Sequence, residues 1–397
     1  MILGVPMALK IVWPVTRVEE ARALSALVGL GVIGTLGTWS FLPLVVSRAI
    51  ADLGLDARFA GFLAAAEMAG GGVATFLASF IVHRYDRRLL TLWGLLLIAL
   101  GSAVSVWANQ FEVLLVSRAV TGIGEGAVTA AVISSMASTR WPERNFGIWT
   151  IVNMAAATLL FFLIMPGVMD LGGISGVFTA YLCLTIPGFL LVAWYPRHRA
   201  EPLQAARPMS ISSTPVLFCL AAILVAHLAH GGIWAYVERF GTAAGAGPRL
   251  VGRALGSAAF VGFLGGILVT LLGTRRGRVL PNTLALALSS GSLLLLVING
   301  GPVVFVTAAM AFYLAWVFGL PYLMGIIAAL DPEGRAATLA IVMQSVGLAG
   351  GPAIAGILAA HAHYDNLAWF GLGAYLLALS IAVPLARLVD HRVTAQA

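Results

Sequence analysis

Long apolar stretches alternate with short polar ones along the whole chain, and this alternation predicts its elements. A helix that crosses a membrane needs about 20 predominantly apolar residues. Twelve stretches of that length are bounded by charged residues, proline or glycine: 23–47, 59–82, 89–107, 111–138, 146–168, 174–195, 215–237, 251–273, 280–299, 302–329, 336–360 and 367–387. The pattern therefore predicts an all-α, polytopic membrane protein with 12 transmembrane helices.

The basic residues between these stretches predict the orientation of the helices. Most of the 23 lysine and arginine residues lie in every second connecting segment, and both terminal segments belong to that set. Basic residues are retained on the cytoplasmic side of a membrane. We therefore expect a multi-pass protein of the cell inner (plasma) membrane with both termini in the cytoplasm.

Two loop motifs recur about 190 residues apart, which predicts an internal repeat. The basic loop at 83–88 corresponds to the loop at 274–278, and Pro142–Arg144 corresponds to Pro332–Arg335. A polar segment with three prolines separates the repeats. We predict a cytoplasmic segment over 1–22, pseudo-symmetric six-helix bundles over 23–195 and 214–389, a cytoplasmic linker over 196–213 and a tail over 390–397.

Composition excludes several classes of protein. The chain is 60% hydrophobic and 10% charged, with a mean hydropathy of +0.98, whereas a soluble domain is about 25% charged. The net charge of +7 is scattered over short clusters, so it does not indicate nucleic-acid binding. Neither cysteine has metal-ligand spacing, and the chain lacks a phosphate-binding loop and a nucleophile arrangement typical of enzymes. We predict a protein that is not an enzyme and needs neither cofactor nor metal.

Five ionisable residues lie well inside the apolar stretches: Glu67, Arg118, Glu125, His227 and His230. A charge at a helix centre costs about 2.5 to 3.5 kcal/mol on insertion scales, so such residues usually face a polar cavity. Arg118 and Glu125 share one helix face but lie about 10.5 Å apart along the axis, too far for a relaxed ion pair. We expect each of them to have another partner.

Further polar and aromatic residues could line a solute pocket together with Arg118. His227, His230 and Trp234 follow one face of the seventh stretch. For the histidines, cavity lining, hydrogen-bonded packing, a proton relay and metal binding remain open, although no third metal ligand is evident on that helix. The other candidates, from other stretches, are Trp39, Ser40, Asn153, Tyr313, Trp316 and Gln344.

With these motifs the sequence resembles the major facilitator superfamily, and the resemblance covers essentially the whole chain. The segment Arg118-x-x-x-Gly122-x-Gly124 looks like the family's pattern in the fourth helix, and a glycine–proline pattern at 347–352 looks like that of the eleventh. The resemblance implies two six-helix bundles and transport of a solute by alternating access around a central site.

The family's gating loop between the second and third helices survives only in part. Its basic positions survive as Arg84, Arg87 and Arg88, whereas His83 stands at the acidic position and Ser79 and Asp86 stand at the glycine positions of the family motif. The fifth stretch also lacks the glycine-rich motif found in many drug exporters. This departure weakens the interpretation as an exporter.

The spacing from Arg118 to Glu125 also resembles the fourth helix of the organic-anion and spinster branches of the superfamily. That resemblance implies that Arg118 contacts substrate or a coupling carboxylate and that Glu125 carries the coupling proton. Those branches keep an acidic residue in the first helix, and this chain has none there. Glu67 is the candidate to replace it.

Together these features predict a proton-coupled secondary transporter of a small organic solute, with an anionic or zwitterionic solute favoured by Arg118. The alternative is a proton antiporter that exports amphiphilic or cationic compounds, favoured by Glu67 and Glu125. Passive facilitation is a third class. We expect the solute, protons and membrane lipid to be its partners, nucleic acid to be excluded, and one chain to suffice as a monomer.

Overall fold

The structure is a computed structural model that describes residues 7–11, 17–82, 85–139, 141–196, 198–202, 214–273, 277–298, 300–331, 335–360 and 364–396. Helices make up most of these residues. They are α1 (Arg17–Leu36), α2 (Leu42–Leu53), α3 (Ala57–Ile81), α4 (Arg87–Trp107), α5 (Phe111–Ala137), α6 (Pro142–Leu159), α7 (Met165–Leu191), α8 (Thr214–Ala235), α9 (Val237–Ala243), α10 (Pro248–Leu272), α11 (Val279–Ile298), α12 (Pro302–Leu330), α13 (Arg335–Leu358) and α14 (Tyr364–Gln396).

Two five-residue π-helices interrupt the α-helices. Gly37–Phe41 joins α1 to α2, and Leu160–Ile164 joins α6 to α7. A 3-10 turn, Val192–Trp194, follows α7. A π-helical turn adds one residue to a helical turn and is frequent at functional sites.

In the part of the chain that the structure describes, 12 helical segments are long and apolar enough to cross a membrane. We number them spans 1 to 12: Val18–Leu53, Ala57–Ala78, Arg87–Trp107, Phe111–Ala137, Arg144–Phe162, Gly172–Trp194, Thr214–Ala235, Pro248–Leu272, Val279–Ile298, Pro302–Leu330, Leu339–Leu358 and Tyr364–His391. The predicted all-α fold with 12 transmembrane helices is confirmed. Span 1 extends beyond its apolar stretch at both ends, because α1 begins before residue 23 and α2 continues past residue 47.

The chain forms two compact units. Unit 1 comprises Met1–Leu42, Ala66–Ala156 and Val168–Ala206, and unit 2 comprises Pro43–Ala65, Ala157–Gly167 and Arg207–Ala397. Two segments of the predicted first bundle, Pro43–Ala65 and Ala157–Gly167, therefore belong to unit 2. The boundary at 196–213 stays a prediction, and residues 203–213 lie outside the described residues.

Glycines on span 4 hold unit 1 tightly packed around its buried polar residues. A methyl group on Gly122 would overlap the backbone carbonyl of Glu67 in span 2. On another face of span 4, a methyl group on Gly124 would lie 2.8 Å from the Ile98 nitrogen in span 3. Small residues let transmembrane helices approach to backbone contact. This close approach brings Glu67 beside the polar face of span 4.

Unit 2 contains a similar contact between spans 7 and 11. A methyl group on Gly231 would lie 2.7 Å from the Leu348 carbonyl oxygen. Beyond span 7, the Tyr236 hydroxyl donates to the Ala57 carbonyl and Arg239 donates to the Ser47 carbonyl. These bonds attach the start of span 2 and the end of span 1 to the body of unit 2.

A two-stranded antiparallel ribbon lies in unit 1. β1 (Met7–Ile11) pairs with β2 (His198–Pro202), with Met7 opposite Pro202 and Lys10 opposite Arg199. The ribbon joins residues from the predicted amino-terminal segment to residues from the predicted linker. The hydrophobic pattern did not predict it, because strand pairing depends on a partner almost 190 residues away.

Candidate functional site

Three buried charged residues of unit 1 form one group, which we call the acid–arginine cluster: Glu67, Arg118 and Glu125. They come from spans 2 and 4, and each residue is at most 2% exposed. Arg118 Nη1 lies 3.5 Å from Glu67 Oε1. Arg118 therefore has the second partner that its spacing from Glu125 requires, and this partner is a carboxylate.

Two further contacts hold the Arg118 side chain. Its Nη2 donates to Ser105 Oγ over 2.8 Å, and its guanidinium carbon lies 4.5 Å from the centroid of the Phe178 ring. A guanidinium over an aromatic face is stabilised by the negative potential of the ring. The Arg118 Nε has no hydrogen-bond partner among the described residues. Most of the guanidinium is thus engaged by the protein itself.

Glu125 accepts hydrogen bonds from two hydroxyl groups. Thr38 Oγ1 in the first π-helix donates to Glu125 Oε2 over 2.7 Å, and Tyr181 in span 6 donates to Glu125 Oε1. Tyr181 is 1% exposed. Spans 1 and 6 therefore fix the orientation of this carboxyl group.

The carboxyl groups of Glu67 and Glu125 approach each other at Gly37. A methyl group on Gly37 would overlap Glu125 Oε1 and lie 2.7 Å from Glu67 Oε1. Only a residue without a side chain fits beside both oxygens. Glu67 Oε2, on the same carboxyl group, has no hydrogen-bond partner in the described part of the chain.

Unit 2 has a different buried group, which we call the aromatic cluster: His227, His230, Trp234, Phe312 and Trp316. The His230 ring stacks on Trp316 at a centroid distance of 3.7 Å and on Phe312 at 5.0 Å. His227 meets Trp316 edge-on at 4.6 Å. Both histidines are fully buried. Spans 7 and 10 thus bring together most of the aromatic residues that the sequence marked as pocket candidates.

The hydrogen bond of His227 defines its tautomer. Nδ1 lies 2.6 Å from the Ile223 carbonyl oxygen, which can only accept, so Nδ1 carries the proton. In a neutral ring Nε2 is then an acceptor, and it has no partner among the described residues. His227 lines a cavity of about 20 Å³ together with Asn282, Ser289 and Trp316. That volume suits one water molecule rather than an organic solute.

The remaining pocket candidates lie apart from these clusters or at their edges. Ser40 is buried and Trp39 half-buried in the first π-helix. Asn153 Oδ1 accepts from Thr35, and Gln344 Nε2 lies 2.9 Å from Met324 Sδ. Tyr313 packs on Trp234 at 4.9 Å. The grouping of these residues around one solute pocket stays a prediction.

Among the members of the partial gating loop that the structure describes, one is buried. Arg87 is 2% exposed, and its guanidinium donates to the carbonyls of Val82 and Ser134. Asp86 caps α4 by accepting from the Arg88 nitrogen over 2.8 Å. Arg84 lies outside the described residues. Among the described members, Asp86 and Arg87 therefore stabilise the start of span 3.

Sequence reasoning missed four side chains of the acid–arginine site: Thr38, Ser105, Phe178 and Tyr181. Three of them are hydroxyl residues inside apolar stretches, which is the one signal that could have marked them. That signal is weak, because serine and threonine in helices usually bond to their own backbone. No group of three or more metal-ligating side chains occurs among the residues that the structure describes.

Comparison with known proteins gives a consistent picture. A sequence profile of the Major Facilitator Superfamily matches residues 27–344. The chain is similar to the uncharacterised MFS-type transporter YceJ of Bacillus subtilis (strain 168), with 26% identity over 92% of this chain and 97% of the relative. It is also similar to the probable anion transporter 4, chloroplastic, of Arabidopsis thaliana, with 25% identity over 41% of this chain and 30% of that protein. The profile match includes both buried clusters.

Proposed function

Since the chain belongs to the major facilitator superfamily, we propose that it is a proton-coupled secondary transporter of a small organic solute, with the acid–arginine cluster as its coupling centre. The observation that carries the proposal is a mismatch of charge. Two carboxyl groups, Glu67 and Glu125, are buried with one guanidinium, that of Arg118. A buried carboxylate without a compensating charge is strongly unfavourable.

The mismatch is removed when the cluster holds one proton. Arg118 and Glu67 form an ion pair, so Glu125 is the carboxyl that remains without a cationic partner. We assign the exchangeable proton to Glu125, whose oxygens already contact the hydroxyls of Thr38 and Tyr181. Either hydroxyl can accept from a protonated carboxyl as well as donate to an ionised one.

Alternating access is coupled to this exchange of a proton through the access of water to the cluster. When water reaches the cluster, solvation and the nearby guanidinium stabilise both carboxylates, and the proton leaves. When the cluster is closed off from water, the charged form is again unfavourable and a proton must be bound. Symport requires a transporter that closes around its site only when proton and solute are both bound or both absent, and antiport requires one that closes when either of them is bound alone.

For the solute, we propose an anion or zwitterion. One relative is named as a probable anion transporter, which supports this class. Arg118 is the residue that would bind the anion, because a guanidinium makes bidentate contacts with carboxylate or phosphate groups. In this role the solute would displace Glu67 from Arg118, and Glu67 would then take up a proton.

The second candidate is a proton antiporter that exports amphiphilic or cationic compounds. It is favoured by the engagement of Arg118 with Glu67, Ser105 and Phe178. In that function Arg118 stabilises ionised Glu67 and does not contact the solute. The cluster, with more carboxyls than guanidinium groups, would then attract cations. For either function we propose a monomer in the plasma membrane with cytoplasmic termini, as the distribution of basic residues predicts.

Reconstitution tests the proposal. A panel of solutes is first screened by ligand-induced thermal shift, and proton movement is then followed in liposomes with an enclosed pH dye. Symport predicts that protons move with the solute, and antiport predicts that they move against it. Solute movement without any proton movement would reject the coupling and leave passive facilitation.

The variant Glu125→Gln tests whether the acid–arginine cluster couples protons to the solute. Glutamine keeps the shape but cannot ionise, so accumulation driven by a proton gradient should fall at least tenfold while counterflow exchange of the solute continues. The matched control is Glu112→Gln, because Glu112 lies on the same span but is exposed in its first turn. Undiminished accumulation in Glu125→Gln would contradict the proposal.

A further inference from the structure

The first π-helix places an irregular turn of span 1 directly against Glu125. Its hydrogen bond runs from the Leu42 nitrogen to the Gly37 oxygen, five residues back. Pro43 follows at once and has no N–H to donate to the preceding turn, which weakens the helix there. Gly37 itself adjoins both carboxyl groups of the cluster. Span 1 is therefore least regular where it meets the exchangeable proton.

Thr38 bonds differently from three threonines that lie in regular helices of unit 1. Thr91, Thr121 and Thr185 each donate to the carbonyl four residues earlier in their own helix, as helical threonines commonly do. Thr38 instead donates across to Glu125. The carbonyl that it would otherwise use, that of Gly34, accepts from Thr129 of span 4 over 3.0 Å.

The other end of the π-helical turn contacts the ring of Tyr181, the second residue whose hydroxyl donates to Glu125. Phe41 stacks on Tyr181 with a centroid distance of 4.8 Å and an interplanar angle of 24°. Both donors to the Glu125 carboxyl are thus attached to the π-helix, Thr38 by belonging to it and Tyr181 by stacking on it. A change in the charge of the carboxyl group can therefore affect span 1 through Thr38 and through Tyr181.

We propose that Thr38 is a positioning residue that senses whether Glu125 is protonated and transmits that state to the π-helical turn of span 1. This inference rests on the proposed coupling role of Glu125. Ionised Glu125 holds Thr38 and the turn, whereas protonated Glu125 releases them.

The physical reason is the strength of the hydrogen bond. A hydroxyl donates more strongly to a carboxylate than to a neutral carboxylic acid. The titratable and charged groups that face Glu125 are Glu67, Arg118 and Tyr181, and the Arg118–Glu67 pair leaves Thr38 and Tyr181 as the donors to Glu125. Loss of the negative charge therefore weakens the bond that holds Thr38. The hydroxyl can then turn away from Glu125, and the π-helical turn is free to change its hydrogen-bonding pattern.

Hydrogen exchange of the full-length protein tests this coupling, at one fixed pH at which the wild type has released the coupling proton. Four proteins are compared: wild type, Glu125→Gln, Thr38→Val and the double variant. We expect amide exchange in residues 37–44 to rise at least threefold in each single variant, in line with the loss of one charge-assisted hydrogen bond. The double variant should exchange no faster than Thr38→Val, because the sensing hydroxyl is already absent.

Transport measurements separate sensing from mere packing. Thr38→Val should keep counterflow of the solute but lower the ratio of protons to solute at least twofold, and Thr38→Ser should restore it because serine keeps the hydroxyl. The matched control is Thr129→Val, which removes a hydroxyl bonded to the same helix one turn earlier without touching a carboxyl group. It should leave the ratio unchanged.

The outcomes distinguish the two proposals. If Glu125→Gln keeps proton-driven accumulation, the proposed function is wrong, and the role of Thr38 is wrong with it. If Glu125→Gln loses accumulation but Thr38→Val couples normally, or if the exchange effects simply add, only the role of Thr38 is wrong. If Thr38→Val does not fold, Thr38→Ser with wild-type coupling and Thr38→Ala with impaired coupling support the role, and the same coupling in both overturns it.

Discussion

The acid–arginine cluster of unit 1 and the aromatic cluster of unit 2 differ in kind, although the two sequence repeats that we predict supply most of each unit. In unit 1, spans 2 and 4 contribute two carboxyls and one guanidinium. In unit 2, spans 7 and 10 contribute imidazole, indole and phenyl rings that stack on one another. The first group is held together by ion pairing and hydrogen bonds, and the second by aromatic contacts.

This difference indicates in which unit the gain or loss of a proton changes the free energy of the protein most. In the acid–arginine cluster, every proton gained or lost changes the number of unpaired charges in a medium of low dielectric constant. In the aromatic cluster, stacking and burial stabilise the histidine rings in their neutral form, so little free energy is lost when they stay neutral. We therefore expect proton sensitivity in unit 1 and solute contact or simple packing in unit 2.

The largest expected effect comes from removing Arg118, the one cation of the acid–arginine cluster. Arg118→Met leaves two buried carboxyls without a compensating charge, which should lower the free energy of unfolding by about 3 to 5 kcal/mol. Adding Glu67→Gln removes one of those charges and should restore a large part of the loss. Melting curves in detergent measure both. If the double variant is no more stable than Arg118→Met, ion pairing does not hold the cluster.

The next effect concerns the close approach of spans 2 and 4. Gly122→Ala introduces a methyl group that would overlap the Glu67 backbone, so we expect a loss of about 1 to 3 kcal/mol from overpacking and an altered pH profile of transport. Gly291→Ala is the control, since a methyl group there has open space around it. Equal melting temperatures for the two variants would show that this contact is loose.

A smaller effect should follow in the aromatic cluster. Trp316→Leu removes the stacking partner of His230, which is worth about 0.5 to 1.5 kcal/mol beyond the loss of buried area. We expect weaker solute binding or lower stability but the same ratio of protons to solute as in wild type. Liposome assays with a pH dye measure that ratio. A changed ratio would mean that unit 2 shares in proton coupling.

The smallest effect lies outside both clusters, at Tyr195. Burial raises the pKa of this hydroxyl to about 12, and the hydroxyl bonds with Ser135 Oγ over 2.7 Å. Tyr195→Phe should cost about 1 kcal/mol for the lost hydrogen bonding. Because the native state holds this proton more tightly than the unfolded chain, its contribution to stability is complete below pH 10 and is lost as the pH rises toward 12.

Alkaline melting curves check the sign of that dependence. Wild type should lose stability between pH 10 and 12 more steeply than Tyr195→Phe, because the variant lacks the group that ionises in the unfolded chain. Parallel curves for the two proteins would contradict the burial of this hydroxyl. Transport near neutral pH should be unaffected, which distinguishes a buried titratable group from a coupling one.

The 12 spans follow from local features of the sequence, and so does the helix face that carries Arg118 and Glu125. Hydropathy is a local sum over about 20 residues, and the helical period fixes which side chains share a face, so neither needs knowledge of a partner. The same local rules identified Glu67 as unusual, because a carboxylate inside an apolar stretch must have a reason to be there.

Which of these residues meet depends on the packing of the helices against one another. Glu67 reaches Arg118 because Gly122 lets two spans touch, and Tyr181 reaches Glu125 from a span whose pattern marks no hydroxyl above the others. The π-helix that presents Thr38 and the ribbon that pairs β1 with β2 depend likewise on neighbours far away in the chain. Hydrophobic insertion is additive along the sequence, whereas hydrogen bonds and ion pairs depend on distances of a few ångströms between separate segments, which packing alone sets.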